Sequence, residues 1–162
     1  MNASTRTPNP SRSEPEGIDF IDAAWELQQI YRPDPQLAKS LAELKRKRLC
    51  GGLVQDTGRV IYPPTSFCEL SFKPVIKLVP VGPGGVIRSY TVSRTKFANG
   101  LAPPYVIVFV QLDGASTASA GYLRNFGDVD SLSLDLIGAR CRAVFTENPV
   151  GDWTDFWFEL KR

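Results

Sequence analysis

A mainly β protein with helices near its N-terminal end is what this chain encodes, on three observations. From Val75 onward, apolar stretches of strand length recur, each bracketed by turn residues. Between residues 17 and 49 the apolar side chains recur at helical spacing instead. Ahead of both, residues 1–16 offer almost nothing to bury. The 162 residues suffice for one compact domain with short additions.

The first segment, "MNASTRTPNPSRSEPE", is expected to be a disordered tail, because it cannot bury enough surface to offset its ordering entropy. Residues 17–49 follow as a helical arm. Ile18, Phe20, Ile21, Ala24, Trp25, Leu27 and Tyr31 form its first apolar face, up to the break at "RPDP". Beyond the break Leu37, Leu41 and Leu44 make a second stripe, with Lys39, Glu43 and residues 45–48 largely off it. The "KRKR" run fits a solvated face at a helix C-terminus, where cations are favoured.

Residues 50–74 have the layout of a rubredoxin-like ribbon lacking its zinc ligands. A glycine turn at Thr57 and Gly58 leads into the apolar residues 60–62, then the Pro63–Pro64 corner, then Cys68. Tetrahedral zinc needs four ligands, and a single cysteine stands here. Without the metal, packing must hold the segment, and Val60, Ile61, Tyr62, Phe67 and Phe72 are the apolar groups at hand. Cys68 reads first as a small buried hydrophobe and second as a reactive thiol; Cys50 and Cys141 read the same way.

Residues 75–162 are expected to form a barrel. "VIKLVPV" is its first strand, followed by the turn "GPGG", then "GVIRSYTVSRTKF", "PPYVIVFVQLD", a weaker strand in "ASTASAGYLRNF", and two terminal strands around a loop. Asp135 to Gly138 read as a turn into the first of those two. Five or so short strands suit a small closed barrel, and the five-stranded OB-fold matches in size.

Several function classes lose support. A net charge of +2 is too small to argue for nucleic acid or an anionic membrane. With no histidine, the commonest general base and all His-ligated metal sites are missing. No apolar run reaches the roughly 18 residues of a membrane span. A polar start and three unevenly spaced cysteines fit neither a signal peptide nor a disulfide framework, so a cytoplasmic location is the expectation.

Taken together, "GRVIYPP" with "FC" after it, "GGVIRSYTVSRTKF", "PPYVIVFVQLD" and a terminal strand beginning "DFWFEL" resemble a family of acyl-CoA-associated proteins. Its members combine N-terminal helices, a zinc ribbon and an OB-fold barrel, and the likeness covers roughly residues 38–162. The family's four zinc-ligand positions fall on Val54, Thr57, Cys68 and Ser71, so only Cys68 is retained. The resemblance implies an accessory subunit beside a thiolase- or ketosynthase-like catalytic subunit in a hetero-oligomeric acyltransferase, thiolase or aldolase complex. It implies that the partner supplies the nucleophilic cysteine, that the substrate is a CoA thioester, and that this chain binds no cofactor of its own.

Candidate binding residues follow. Arg88, Arg94, Lys96 and Arg124 lie in or beside barrel strands and could meet the phosphates of CoA, or simply face solvent. Tyr105 belongs to an aromatic set, with Tyr90, Phe97, Phe109 and Tyr122, that could stack on adenine or fill the core. Trp153 and Trp157, in a terminal stretch too aromatic for one buried face, are candidates for a partner interface, as are Trp25 and Tyr31. Two other functions remain in play: a single-stranded nucleic-acid binder, and a stand-alone acyl-CoA hydratase or thioesterase working through a carboxylate such as Asp113.

Overall fold

Asp34 opens the one regular helix among the described residues, which are 32–96 and 101–161 of this computed structural model. The expected tail, the first helical stretch with Trp25 and Tyr31, and the loop residues 97–100 lie outside them.

The helix, α1 (Pro35–Leu44), begins where Asp34 accepts the N–H of Gln36 at 2.8 Å and Pro35 supplies a pre-set first turn. The same carboxylate accepts the N–H of Ser66 at 3.0 Å, tying the helix start to a distant loop. Leu44 is buried, with Leu37 and Leu41 half-buried, as the stripe in the sequence requires. The chain leaves the helix through Lys47 in the left-handed region (φ 58°), and residues 45–48 face solvent. Glu43 pairs with both Arg46 and Arg48 there.

Three strands come next: β1 (Leu49–Val54), β2 (Val60–Ile61) and β3 (Val75–Val81), ordered β2-β1-β3 and antiparallel. Here the structure corrects the sequence reading, which placed "VIKLVPV" in the barrel. It pairs instead with β1 from Leu49–Val81 to Val54–Val75, so the barrel begins at Gly84. The reason lies in Gly51 and Gly52. A Cβ at Gly52 would sit 2.6 Å from Val75 Cγ1, so the neighbouring valine packs where a side chain would otherwise be. Ser40 seats α1 on this sheet by donating its buried hydroxyl to the Cys50 carbonyl at 2.8 Å.

The barrel comprises β4 (Gly84–Ser93), β5 (Tyr105–Leu112), β6 (Ala118–Arg124), β7 (Arg140–Phe145) and β8 (Phe156–Leu160). Its order is β4-β5-β6-β8-β7, closed by β7 on β4, with β6 and β8 parallel and every other pair antiparallel. This is an OB-fold. Strand alternation sorts β5 cleanly: Val106, Val108, Val110 and Leu112 are buried, while Ile107, Phe109 and Gln111 point outward. Ile87, Leu123, Cys141, Ala143, Phe156 and Phe158 complete the barrel core, and Leu44, Leu49, Tyr62 and Val81 extend it under the sheet. A single turn at Leu134–Leu136 adds the buried Leu136.

Residues of the β5–β6 loop stitch the two sheets together. Ser116 donates its backbone N–H to Val60 O at 2.7 Å, and Thr117 Oγ1 exchanges hydrogen bonds with the backbone of Tyr62 at 2.8 Å each.

Candidate functional site

Beyond β2 the chain makes a projecting finger, residues 63–74, with a small core of its own formed by Val54, Ile61, Cys68 and Val75. Its tip is tied by Phe72 N–H to Cys68 O at 2.8 Å and Cys68 N–H to Lys73 O at 2.9 Å. Two of the five side chains expected to hold this segment do the opposite. Ile61 and Tyr62 are buried and Val60 half-buried, but Phe67 and Phe72 are 55% and 78% exposed. Val54, Cys68 and Val75 fill that core with Ile61 instead. Leu70 is also largely exposed, so three large apolar groups show on this finger, with the exposed Ile76 of β3 next in the chain beyond it. Phe72 keeps its outward position from a left-handed backbone (φ 54°), unusual for a bulky residue.

The four positions of the ribbon motif can now be tested for zinc. Val54 and Cys68 meet in the apolar cluster, Thr57 is exposed on the turn between Asp56 and Gly58, and Ser71 is half-buried beside the Cys68 thiol. One sulfur, two hydroxyls and an isopropyl group do not make a tetrahedral zinc site. Among the described residues no group of three or more His, Cys, Asp or Glu is placed to hold a metal ion.

The candidate cations are dispersed. Arg88 donates its Nε–H to Gln111 Oε1 at 2.9 Å. Arg94 is paired with Asp130 at 2.5 Å. Lys96 is exposed beyond the end of β4. Arg124 lays its guanidinium 4.4 Å from the ring centre of Trp157, whose indole N–H is donated to Glu159 at 2.9 Å. Arg94 and Arg124 approach the same end of the barrel, because Ser93 pairs with Tyr105 and Val106 with Leu123. Tyr105 itself is buried, edge-on to Tyr122 with ring centres 5.8 Å apart.

Asp113 does not have the setting of a general acid or base. Arg140 donates to both of its oxygens, at 2.7 and 2.6 Å, and this hydrogen bonding holds the carboxyl below its usual range. Such a carboxylate is a structural anchor between the β5 end and β7.

A groove of about 400 Å³ runs over the outer face of β5 and β6, with Ile107 and Tyr122 as its floor. Trp153, 42% exposed, and Thr154 wall it from the β7–β8 loop, and Pro63 from the sheet side. The sequence singled out Trp153 and Tyr122 but did not bring them together, and it passed over Pro63 and Ile107, which lie far apart in the chain and carry no motif. Trp157 points outward from mid-strand and is half-buried under Arg124, while Phe156 and Phe158 face inward, as alternation demanded.

The architecture is thus a closed OB-fold barrel preceded by a small three-stranded sheet that carries the finger. Residues 78–146 match the family model described as ChsH2, C-terminal OB-fold domain. Among curated proteins none matches the chain. Among solved structures the chain is similar to one titled Ltp2-ChsH2(DUF35) aldolase, with a TM-score of 0.60 and 20% identity, covering 80% of this chain and 97% of that one. It is also similar to a DUF35-family protein of unknown function from Sulfolobus solfataricus, with a TM-score of 0.58 and 19% identity, covering 78% of this chain and 86% of that one. At these identities the likeness shows a shared fold.

Proposed function

We propose that this chain is a non-catalytic OB-fold accessory subunit of a thiolase- or ketosynthase-like acyltransferase or acyl-CoA thiolase complex in the cytoplasm. It docks on the catalytic subunit, which supplies the nucleophilic cysteine, and helps hold or cover the CoA-linked substrate. The chain binds no metal or cofactor itself.

The observation that carries this reading is the exposed apolar finger. Leu70 and Phe72, at 68% and 78% exposure, project from a short loop anchored by its own core. Large apolar groups grouped on one exposed feature mark an interaction site. The match of the barrel to the ChsH2 OB-fold model, and a structural neighbour titled as an aldolase with a DUF35 component, indicate what kind of partner to test. Arg88, Lys96 and Arg124 remain exposed near the barrel surface for the phosphates of CoA.

Co-expression with a thiolase-fold subunit of the same organism, followed by size exclusion, tests the reading. A stoichiometric complex is expected from the wild type, and a dissociated one from Leu70→Asp with Phe72→Asp. Turnover of acyl-CoA by the purified chain alone, or no complex with any such subunit, would end it.

A further inference from the structure

A second hollow, of about 750 Å³, opens on the outer face of β7 and β8. Asn125, Gly127, Arg142, Glu159, Leu160 and Lys161 line it. Its size lies within the ~300–1,000 Å³ that small-molecule sites occupy. Strand alternation builds its floor. Cys141, Ala143 and Phe158 face the barrel core, so Arg142 and Glu159, paired directly across the two strands, face outward together. Beyond β6 the chain turns sharply through Asn125 (φ 56°) and Gly127 (φ 85°), both left-handed, and this turn adds a wall.

Glu159 is fixed in place but only half used. Its Oε1 accepts Asn125 Nδ2–H at 2.6 Å and the Trp157 indole N–H at 2.9 Å, and the side chain is 17% exposed. Its Oε2 accepts no hydrogen bond among the described residues. Arg142 Nη2 stands 3.9 Å from it, too far for a hydrogen bond, and the Arg142 side chain is 63% exposed. Lys161, two residues on from Glu159, is exposed at the same hollow. Arg140, by contrast, is already spent on Asp113.

An open acceptor beside an open donor at this separation suits a hydroxyl. One oxygen about 2.8 Å from each donates to Glu159 and accepts from Arg142. Lys161 and the rest of the Arg142 guanidinium then face an oxyanion on the same molecule. A run of phosphates fits poorly, because Glu159 stands among the cations and repels it. An apolar ligand would strip water from all three charges without replacing it.

We infer that this hollow binds a small hydroxylated anion, a sugar phosphate or a sugar acid. The inference does not rest on the proposed accessory role. D-glucose 6-phosphate and D-gluconate are titrated into the full chain by calorimetry at low ionic strength, with D-glucose and inorganic phosphate as controls. Saturable binding of the hydroxylated anions is expected, and the tighter of the two decides between phosphate and carboxylate. Each control should bind about tenfold more weakly or worse. Arg142→Ala and Lys161→Ala should each weaken the sugar anions by roughly tenfold. Glu159→Gln should weaken them too, yet strengthen inorganic phosphate, because a like charge is removed. Thermal melts establish that the variants are folded. No binding, equal binding by the folded variants, or inorganic phosphate binding as tightly as glucose 6-phosphate would overturn the assignment. So would adenosine 3′,5′-bisphosphate binding more tightly than either sugar anion, which would make the hollow a nucleotide site.

Discussion

The ring of Phe158 occupies the space that a side chain at position 121 would need. A Cβ on Gly121 would lie 2.6 Å from Phe158 Cε2 and 2.9 Å from Cδ2. Phe158 is 1% exposed and stands edge-on to Phe156 at 5.6 Å, so it has little room to retreat. This contact sits where β6 meets β8, the parallel pairing within the barrel. Gly121→Ala is expected to cost about 1–3 kcal/mol, and Gly121→Val more, through overpacking. Urea unfolding followed by circular dichroism measures it, and an unchanged midpoint would mean that the ring yields freely.

Val54 and Cys68 predict how the finger responds to metal removal. Their packing with Ile61 and Val75 replaces the coordination that a zinc ribbon uses. Phenanthroline or EDTA should leave amide exchange at Cys68 and Val75 unchanged. Val54→Asp should abolish that protection by burying an unpartnered carboxylate, at a cost of about 3 kcal/mol to the finger. Adding cysteines in a Val54→Cys, Thr57→Cys, Ser71→Cys triple variant supplies four sulfurs with Cys68, and one zinc per chain is expected by elemental analysis. Zinc in the wild type at that ratio would overturn the packing account.

Parts of this fold were plain in the amino acids and parts were not. β3, β5 and β8 carry continuous or alternating apolar runs, and α1 carries Asp34, Pro35 and a leucine stripe, so period and capping chemistry located them. β1 was hidden, because its Gly51–Gly52 pair breaks the apolar pattern of a strand and makes sense only once two flanking strands are seen to close over it. That same omission sent β3 into the barrel. Phe67 and Phe72 were read as finger core because apolar residues are normally buried, and nothing local distinguishes a ring aimed outward. The groove was illegible for a different reason. It is assembled from β5, β6, the Pro63 corner and the β7–β8 loop, a juxtaposition that only tertiary structure creates.

Asp155 makes the stability depend on acid. Burial disfavours its charge, but backbone N–H groups of Val150, Asp152 and Gly151, with a smaller pull from Lys45, hold its carboxyl below the usual range. A folded-state value below the unfolded one means that the stabilisation is complete above about pH 4, the unfolded value, and is lost as pH falls through the folded one. Asp155→Asn keeps one acceptor and loses the charge. At neutral pH it should cost about 1–3 kcal/mol, and its melting temperature should fall less between pH 4 and lower values than that of the wild type. Parallel pH curves for the two proteins would show that the carboxylate contributes nothing through its charge.

The three cysteines should separate by reactivity, because the thiolate is the attacking form. Burial pushes the Cys141 thiol up to about 11, and burial, with Glu43 adding to it, raises Cys50 as well. Cys68 goes the other way: the Ser71 hydroxyl, then the N–H groups of Ser71 and Leu70, favour its thiolate. Yet Cys68 has no exposed surface, so reagent reaches it only when the small finger core opens. With a disulfide reagent at pH 8, the native chain should therefore lose one thiol slowly and the other two only on global unfolding. Peptide mapping should place the first label on Cys68. Val54→Ala should speed that step by loosening the finger. Labelling of Cys141 ahead of Cys68 would mean that the barrel opens before the finger, contrary to a finger core of four side chains set against the much larger one behind it.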